Sequence, residues 1–272
     1  MAFLFQGILP DIWQPAAMLA GVYTGGTPNM QAIGLALEVP QETFILLNAA
    51  DLLWSGVYLI FLTSVGKKVV SLFLLEYKSS SKIDSDITPA SSSIQFKGLA
   101  ISLILAIGIV GMSLGLTWLI FHQLAPVAFI MLCLTTGALV ASFIPSIQKL
   151  NASFETGEYL LLVFCVAIGM RSDFGQLIDQ GGMSIIFTGA VVSTAISLHY
   201  FLSWILKIDR DTTMITSTAA IFGPAFVGQI ASVLNNREIV VAGVATGLVG
   251  YAIGNYLGIG IGYFLQYLLF NG

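Results

Sequence analysis

The sequence predicts an all-α integral membrane protein made of two repeats, each containing an interrupted helix. Three observations lead to this fold class. Few residues are charged, several apolar segments are long enough to cross a bilayer, and glycine and proline interrupt two such segments at equivalent places. Together they favour a transporter-like arrangement over a water-soluble globule.

The composition excludes a water-soluble domain. Of the 272 residues, 57% are hydrophobic and only 9% are charged, whereas soluble domains carry about 25% charged residues. Because so few charges cannot cover a globule of this size, we expect a multi-pass protein of a bacterial inner (plasma) membrane, surrounded by the lipid bilayer. The ten Lys and Arg residues form no basic stripe, so nucleic acid is excluded as a partner.

Apolar segments of about 20 residues are typical of membrane-spanning helices. The first span is predicted at 43–65. Further spans are predicted at 99–121, 126–147, 157–170, 183–206 and 238–268, with an interrupted segment at 212–234. Residues 171–182 are predicted to form a short interfacial or loop helix.

A polar, serine-rich stretch at 76–97 divides the chain. Its composition is that of a solvated linker. We therefore predict 1–75 as the C-terminal part of a first repeat and 98–272 as a complete second repeat. Positive residues are enriched on the cytoplasmic side of membrane proteins. We expect the linker to be cytoplasmic, because half of the Lys and Arg residues lie in or near it: Lys67, Lys68, Lys78, Lys82 and Lys97.

Two interrupted segments carry the functional hypothesis. The first reads YTGGTPNMQAIGLAL at 23–37, and the second reads TAAIFGPAFVGQIAS at 218–232. They share a glycine and a glutamine at one common offset, and a proline after a slip of two residues: Gly25 and Gly223, Gln31 and Gln229, Pro28 and Pro224. Paired breaks of this kind point to the binding site of a secondary transporter.

A helix broken inside a membrane leaves backbone N–H and C=O groups that hydrocarbon cannot satisfy. The freed N–H groups bind anions and the freed carbonyls bind cations. We therefore predict that residues 24–29 and 222–225 are non-helical and meet near the middle of the bilayer. The candidate substrate-binding residues are Thr24, Gly25, Gly26, Thr27, Pro28, Asn29, Gly223, Pro224 and Gln229. The alternative interpretation is a pair of proline kinks that pack helices closely.

The number of crossings leaves two arrangements open. Counting every apolar segment after the linker gives six, which makes the two halves parallel, whereas an inverted repeat needs an odd number. Either the interrupted segment enters the membrane and returns, or one segment consists of two half-spans.

An ionisable side chain inside a span is costly and marks a functional site by default. Asp51 lies in the middle of span 43–65 with Asn48 one turn before it, and Asn255 lies at a similar depth in the last span. We predict that these three residues couple transport to Na⁺ or H⁺. The alternative for each is a hydrogen-bonded residue that fixes helix packing. No other cofactor and no metal site are expected.

Side chains suited to enzyme chemistry form no recognisable motif. Cys133 and Cys165 lie inside apolar runs, and His122 and His199 are isolated. The sequence contains no Ser/His/Asp, zinc or nucleotide-binding pattern. We therefore expect that the protein is not an enzyme.

Four stretches carry a family resemblance: the two interrupted segments, FETGEYLLLVFCVAIGMRSDF at 154–174, and GLVGYAIGNYLGIGIG at 247–262. Over nearly its whole length the chain resembles the uncharacterised YjcL-like membrane proteins, known as domain of unknown function 819. That family is placed in the broad group of cation:proton antiporters and anion transporters, beside the bile acid:sodium and glutamate:sodium symporters.

The resemblance implies an inverted-repeat transporter fold. Each repeat would have an interrupted segment at its centre, and one domain would move against the other. Family members usually carry a longer stretch before the letters YTGGTPN, so we expect the first repeat to be incomplete.

Two functions follow as hypotheses. The first is a secondary transporter that couples a small organic anion (an amino acid, a dicarboxylate or a short peptide) to Na⁺ or H⁺, with the interrupted segments as the binding site and Asp51 as the coupling charge. The alternative is a non-transporting membrane component or a truncated, inactive half-transporter, which an incomplete first repeat favours. A homodimer is compatible with both.

Overall fold

A computed structural model provides the three-dimensional structure of the chain. It describes residues 1–7, 9, 11–77, 96–148, 156, 157, 159, 160, 163, 166, 167, 170 and 174–270. All named elements in these ranges are helical, which confirms the all-α class. The linker from 78 to 95 and most of the span predicted at 157–170 lie outside the described residues.

The helices follow the apolar segments of the sequence. In chain order they are α1 (Trp13–Gly25), α2 (Thr27–Ala36), α3 (Gln41–Phe61), α4 (Lys67–Val70), α5 (Phe96–Phe121), α6 (Val127–Ser142), α7 (Pro145–Gln148), α8 (Phe174–Ile205), α9 (Arg210–Phe222), α10 (Val227–Leu234) and α11 (Val240–Phe270). Short 3₁₀ turns cover Ala2–Leu4 and Pro224–Phe226, and a π turn at Leu62–Gly66 joins α3 to α4.

Four helical stretches are long and apolar enough to cross a membrane: Gln41–Val70, Gly98–Phe121, Gly181–Ile205 and Val240–Phe270. They agree with four of the predicted spans. The segment predicted at 126–147 is shorter, because α6 ends at Ser142 and Pro145 begins the separate helix α7.

The prediction of a separate loop helix at 171–182 is wrong from residue 174 onward. Helix α8 runs without interruption from Phe174 into the following span. The pair Gly181–Gly182 does not end it, since a glycine costs a helix only about 1 kcal/mol and the long apolar run that follows sustains the helix.

The first interrupted segment is a helical hairpin of α1 and α2, which we name hairpin 1. Its arms lie side by side, because Gln14 near the start of α1 donates from Nε2 to the carbonyl of Leu37 at the end of α2, 2.8 Å away. Between the arms Gly26 has φ 93° and ψ −174°. Pro28 occupies the first turn of α2, where its missing N–H removes no helical bond.

The second interrupted segment is a hairpin of α9 and α10, which we name hairpin 2. Gly223 at its tip has φ 78° and ψ −176°, close to the conformation of Gly26. Asn236, just beyond α10, donates from Nδ2 to Oδ2 of Asp211 at the start of α9, 3.0 Å away. Both arms therefore open at the same end of the molecule, and the chain reverses its direction at Gly223.

The prediction that 24–29 and 222–225 are non-helical is wrong in extent. Residues 24 and 25 close α1, residues 27–29 begin α2, and residue 222 closes α9. A single glycine makes each turn, because a positive φ with extended ψ is open to glycine and strained for other residues. The equivalent positions are accordingly Gly26 and Gly223, rather than the Gly25 and Gly223 that the common offset pairs.

Residues 67–77, which we name the strap, cross the open end of hairpin 2. Lys67 donates from Nζ to the carbonyl of Leu234 at the end of α10, 2.8 Å away. The backbone N–H of Arg210 at the start of α9 donates to the carbonyl of Leu75, also at 2.8 Å. The strap thus binds both arms of hairpin 2. We name this side of the molecule, where the strap meets Arg210 and Leu234, the linker end.

A buried ion pair reinforces the strap. Arg210 donates from Nε to Oδ1 of Asp211 (2.7 Å) and from Nη1 to Oγ of Ser71 (2.9 Å). Both charged side chains are almost fully buried, whereas Glu76, 3.6 Å from the guanidinium, is 83% exposed.

Helix α11 passes both hairpins along a row of buried glycines, which we name the glycine seam: Gly243, Gly247, Gly250, Gly254, Gly258 and Gly262. Near its start, a Cβ on Gly247 would lie 3.0 Å from Pro224 of hairpin 2. Near its end, a Cβ on Gly262 would lie 2.9 Å from Leu37 and 3.1 Å from Ala17, beside the open end of hairpin 1. Small residues let backbones approach closely, so α11 packs tightly against both hairpins.

The two hairpins therefore enter from opposite ends of the molecule, hairpin 2 from the linker end and hairpin 1 from the far end. Their tips meet between these ends, since a Cβ on Gly26 would lie 3.4 Å from the backbone nitrogen of Gly223. This confirms the prediction that the two breaks approach each other.

Helix α3 lies against α8 and hairpin 2. Trp54 donates from Nε1 to the carbonyl of Ile185 on α8, 2.9 Å away. The Tyr58 hydroxyl lies 3.1 Å from the hydroxyl of Tyr200 and 2.8 Å from that of Ser217 on α9. These contacts fix the polar face of α3 beside the hairpin tips.

Candidate functional site

The tips of the two hairpins form the centre of the candidate site. The C-terminal ends of α1 and α9 and the N-terminal ends of α2 and the 3₁₀ turn at Pro224 converge there. Tyr251 of α11 packs against both tips, because Cβ atoms on Gly26 and Gly223 would lie 3.5 Å and 3.1 Å from its Cε1. Helix ends of both polarities therefore face one small region, where they can stabilise both anions and cations.

A cavity of about 530 Å³ adjoins the tips, between α2, α3 and the tip of hairpin 2. We name it the α3 cavity. Its polar lining residues are Thr27, Gln31, Asn48, Asp51 and Ser55, and hairpin 2 contributes the apolar side chains Ile221, Phe222 and Phe226. Its volume is within the range of about 300–1,000 Å³ that is typical of small-molecule sites.

Asp51 is a buried carboxyl group on the wall of this cavity. It is 7% exposed, and its Oδ1 accepts one long hydrogen bond, from Oγ of Ser55 at 3.3 Å. The Tyr23 hydroxyl of α1 is the second polar group that interacts with this carboxyl group. No Lys or Arg side chain is among the described residues that line the cavity beside Asp51.

Gln31 of α2 and Asn48 of α3 form an amide pair, and Asn48 lies one turn before Asp51 on the same helix. Gln31 donates from Nε2 to Oδ1 of Asn48 (2.6 Å), and Asn48 donates from Nδ2 to the carbonyl of Phe44 (2.7 Å). Gln31 is 4% exposed and its Oε1 has no partner among the described residues. The pair connects hairpin 1 to α3 and leaves a buried acceptor at the cavity.

A second polar chain lies on the other face of α2. Asn29 donates from Nδ2 to Oδ1 of Asn255 (2.9 Å) and to the carbonyl of Tyr251 (3.1 Å). Asn255 in turn donates from Nδ2 to Oγ1 of Thr135 on α6 (2.9 Å). Thr135 and Asn255 line a separate cavity of about 760 Å³ between α2, α6 and α11.

The structure brings together most, but not all, of the predicted site residues. Gly25, Gly26, Gly223 and Pro224 lie at the meeting tips, and Thr27 lines the α3 cavity. Of the three predicted coupling residues, Asn48 and Asp51 share one cavity, whereas Asn255 belongs to the polar chain on the opposite face of α2.

Three predicted residues have other environments. Thr24 donates its hydroxyl hydrogen to the carbonyl of Ala20 within its own helix (2.7 Å). Pro28 lies half-buried in the first turn of α2. Gln229 is exposed on α10 and does not line the α3 cavity, unlike Gln31, its partner in the sequence comparison.

The sequence analysis missed three residues that line the α3 cavity: Gln31, Phe222 and Phe226. Gln31 carried a signal, because a glutamine within the broken segment matched Gln229, but nothing in the pattern showed that only Gln31 faces inward. Phe222 and Phe226 gave no signal, since an aromatic residue in an apolar segment is indistinguishable from core packing.

Matches to known proteins extend over all residues of the candidate site. The family model described as "Protein of unknown function (DUF819)" matches residues 1–268. "Uncharacterized membrane protein YjcL" of Bacillus subtilis (strain 168) is 21% identical over 272 aligned residues, which cover 94% of this chain and 69% of that protein. No solved structure matches the chain.

Proposed function

The chain belongs to the DUF819 family of membrane proteins, and on that premise we propose that it is a secondary transporter that couples a small organic anion to Na⁺ or H⁺. The observation that carries the proposal is the meeting of two hairpin tips, from opposite ends of the molecule, beside a cavity with a buried carboxyl group. Broken backbone inside a membrane occurs where it lines a binding site or water-filled cavity.

The proposed architecture is an inverted repeat in a bacterial inner membrane, crossed several times. Gly26 and Gly223 have nearly the same backbone angles, and the hairpins that they terminate open at opposite ends. This relation supports a pseudo-two-fold axis through the tips, lying in the membrane plane. The lysines of the strap favour a cytoplasmic linker end.

The proposed substrate is a small anion such as an amino acid, a dicarboxylate or a short peptide. No Lys or Arg side chain is among the described residues that line the α3 cavity. The negative charge would therefore be stabilised by the helix N-termini that begin after Gly26 and Gly223. The aromatic side chains of hairpin 2 would cover its apolar part.

The test of transport uses the purified protein in liposomes. Candidate anions are first screened by their effect on thermal stability, because a ligand at a hundred times its dissociation constant stabilises a protein by about 2.7 kcal/mol. Radiolabelled hits are then offered under an inward Na⁺ gradient or an inward proton gradient. Gradient-driven accumulation above that of empty liposomes supports the proposal. A folded protein that accumulates none of them would favour the non-transporting component.

Asp51→Asn tests the proposed coupling role. We expect it to abolish ion-driven accumulation while the protein stays folded, because Asn is nearly isosteric but cannot carry the charge. Glu42→Gln is the matched control, since Glu42 is exposed in the first turn of the same helix. If accumulation by Asp51→Asn still depended on Na⁺ and on pH as in the unmodified protein, Asp51 would not be the coupling residue. The coupling site would then have to be sought at Thr24, Asn29 or Asn255.

A further inference from the structure

A buried amide oxygen without a partner lies at the α3 cavity. Oε1 of Gln31 has no hydrogen-bond partner among the described residues, and it lines the cavity together with Asp51. The Asp51 carboxyl group has two polar neighbours, the hydroxyl of Ser55 at 3.3 Å and the hydroxyl of Tyr23. Buried acceptors normally have partners, so the amide oxygen of Gln31 indicates an occupant.

The ionisable group at this place has no basic neighbour among the described residues that line the cavity. Asp51 is buried, and none of the described residues that line the α3 cavity is a Lys or Arg. A buried charge is normally paired or binds a metal ion. One carboxylate with neutral oxygen ligands suits a monovalent cation, since divalent sites usually combine several carboxylates.

Asn48 fixes the orientation of the Gln31 amide. Because its Oδ1 accepts the Nε2–H of Gln31 at 2.6 Å, the opposite atom, Oε1, is left free. Asn48 is itself held by the bond from its Nδ2 to the carbonyl of Phe44. The amide oxygen of Gln31 is therefore presented by a second layer of hydrogen bonds, as is common for metal ligands.

We propose that the α3 cavity binds a monovalent alkali-metal cation through the carboxylate of Asp51 and the amide oxygen of Gln31, with Asn48 as a positioning residue. The inference deepens the proposed function, because it assigns the coupling ion of that same site to an alkali-metal cation. Phe222 and Phe226 from hairpin 2 line the same cavity. A bound cation would thus touch hairpin 1 and α3 next to the tip of hairpin 2.

The test measures binding alone, in detergent. The melting temperature of the purified protein is recorded across NaCl, KCl and choline chloride series at fixed ionic strength. We expect Na⁺ or K⁺, but not choline, to raise it. Asp51→Asn should lose this rise, and Gln31→Met should increase the half-maximal cation concentration at least about tenfold.

Thr188→Val is the matched control, because Thr188 on α8 also has a buried hydroxyl without a partner among the described residues and does not line the α3 cavity. It should respond to the cation like the unmodified protein. An equal response to choline in the unmodified protein, an undiminished response in Asp51→Asn, or loss of the response in Thr188→Val would each overturn the site. Cation binding without any ion-driven uptake would overturn only transport.

Discussion

At the scale of single residues, two glycines determine where each broken helix turns. Gly26 and Gly223 adopt a positive φ with extended ψ, a region that is essentially restricted to glycine. Proline follows shortly after each of them and begins a new helical turn without needing an N–H partner. The turn is thus made by one residue, and the neighbouring polar side chains stay on helices that orient them.

Gly26→Ala should lower the free energy of unfolding by about 1–3 kcal/mol, because alanine is strained in this backbone conformation. Space is not the limiting factor, since the nearest atom to an added Cβ would be 3.4 Å away. The measurement is equilibrium denaturation in detergent micelles.

Gly228→Ala is the control for this substitution. Gly228 lies within α10 and has open space around an added Cβ, so alanine there should leave stability unchanged or raise it by about 0.5–1 kcal/mol. If both substitutions had the same effect, the special conformation of Gly26 would not matter for stability.

At the scale of elements, the hairpins could be predicted only in part. Glycine, proline and the apolar flanks of 23–37 and 218–232 predict two broken segments, because these residues act locally. Which glycine turns the chain depends on contacts with Tyr251, over 200 positions from Gly26 in the sequence. The inward direction of Gln31 depends likewise on Asn48, which belongs to the next helix. Such distant pairings leave no trace in local composition.

The ion pairs at the strap predict that the two acidic neighbours of Arg210, Asp211 and Glu76, contribute unequally to stability. Arg210→Met should destabilise the protein by about 3–5 kcal/mol, because it leaves the buried carboxylate of Asp211 without its counter-charge. Glu76→Gln should cost at most about 1 kcal/mol, since an ion pair with an exposed partner contributes little.

Thermal or denaturant unfolding of both variants tests this inequality, with Arg237→Met as a control for the loss of an exposed arginine. A Glu76→Gln variant as unstable as Arg210→Met would show that the exposed pair, rather than the buried one, holds the strap.

At the scale of the whole molecule, α11 joins two hairpins that open at opposite ends. Its glycine seam runs from Pro224 of hairpin 2 to Ala17 and Leu37 of hairpin 1. The glycines were visible in the stretch 247–262, but their role was not, because a row of small residues does not reveal which helix packs against it. The same arrangement explains how the two breaks meet although neither hairpin crosses the molecule.

Accessibility to a membrane-impermeant thiol reagent should separate the ends of the hairpins. In a protein without Cys133 and Cys165, cysteines at Asp11 and Glu38, which flank hairpin 1, should be labelled from outside intact cells. Cysteines at Lys207 and Asn235, which flank hairpin 2, should be labelled only after permeabilisation. All four positions are exposed.

Two results would contradict this topology. Labelling of Lys207→Cys and Asn235→Cys from different sides would mean that hairpin 2 crosses the membrane. External labelling of Ser80→Cys would place the linker outside the cell, against the distribution of lysines.

The glycine seam of α11 also determines how much room the hairpins have. Side chains of the hairpins occupy the space above the glycines: Ile215 lies over Gly243, Asn29 over Gly254 and Ile33 over Gly258. A single methyl group added at any of these three glycines would therefore collide with a hairpin and force it away from α11.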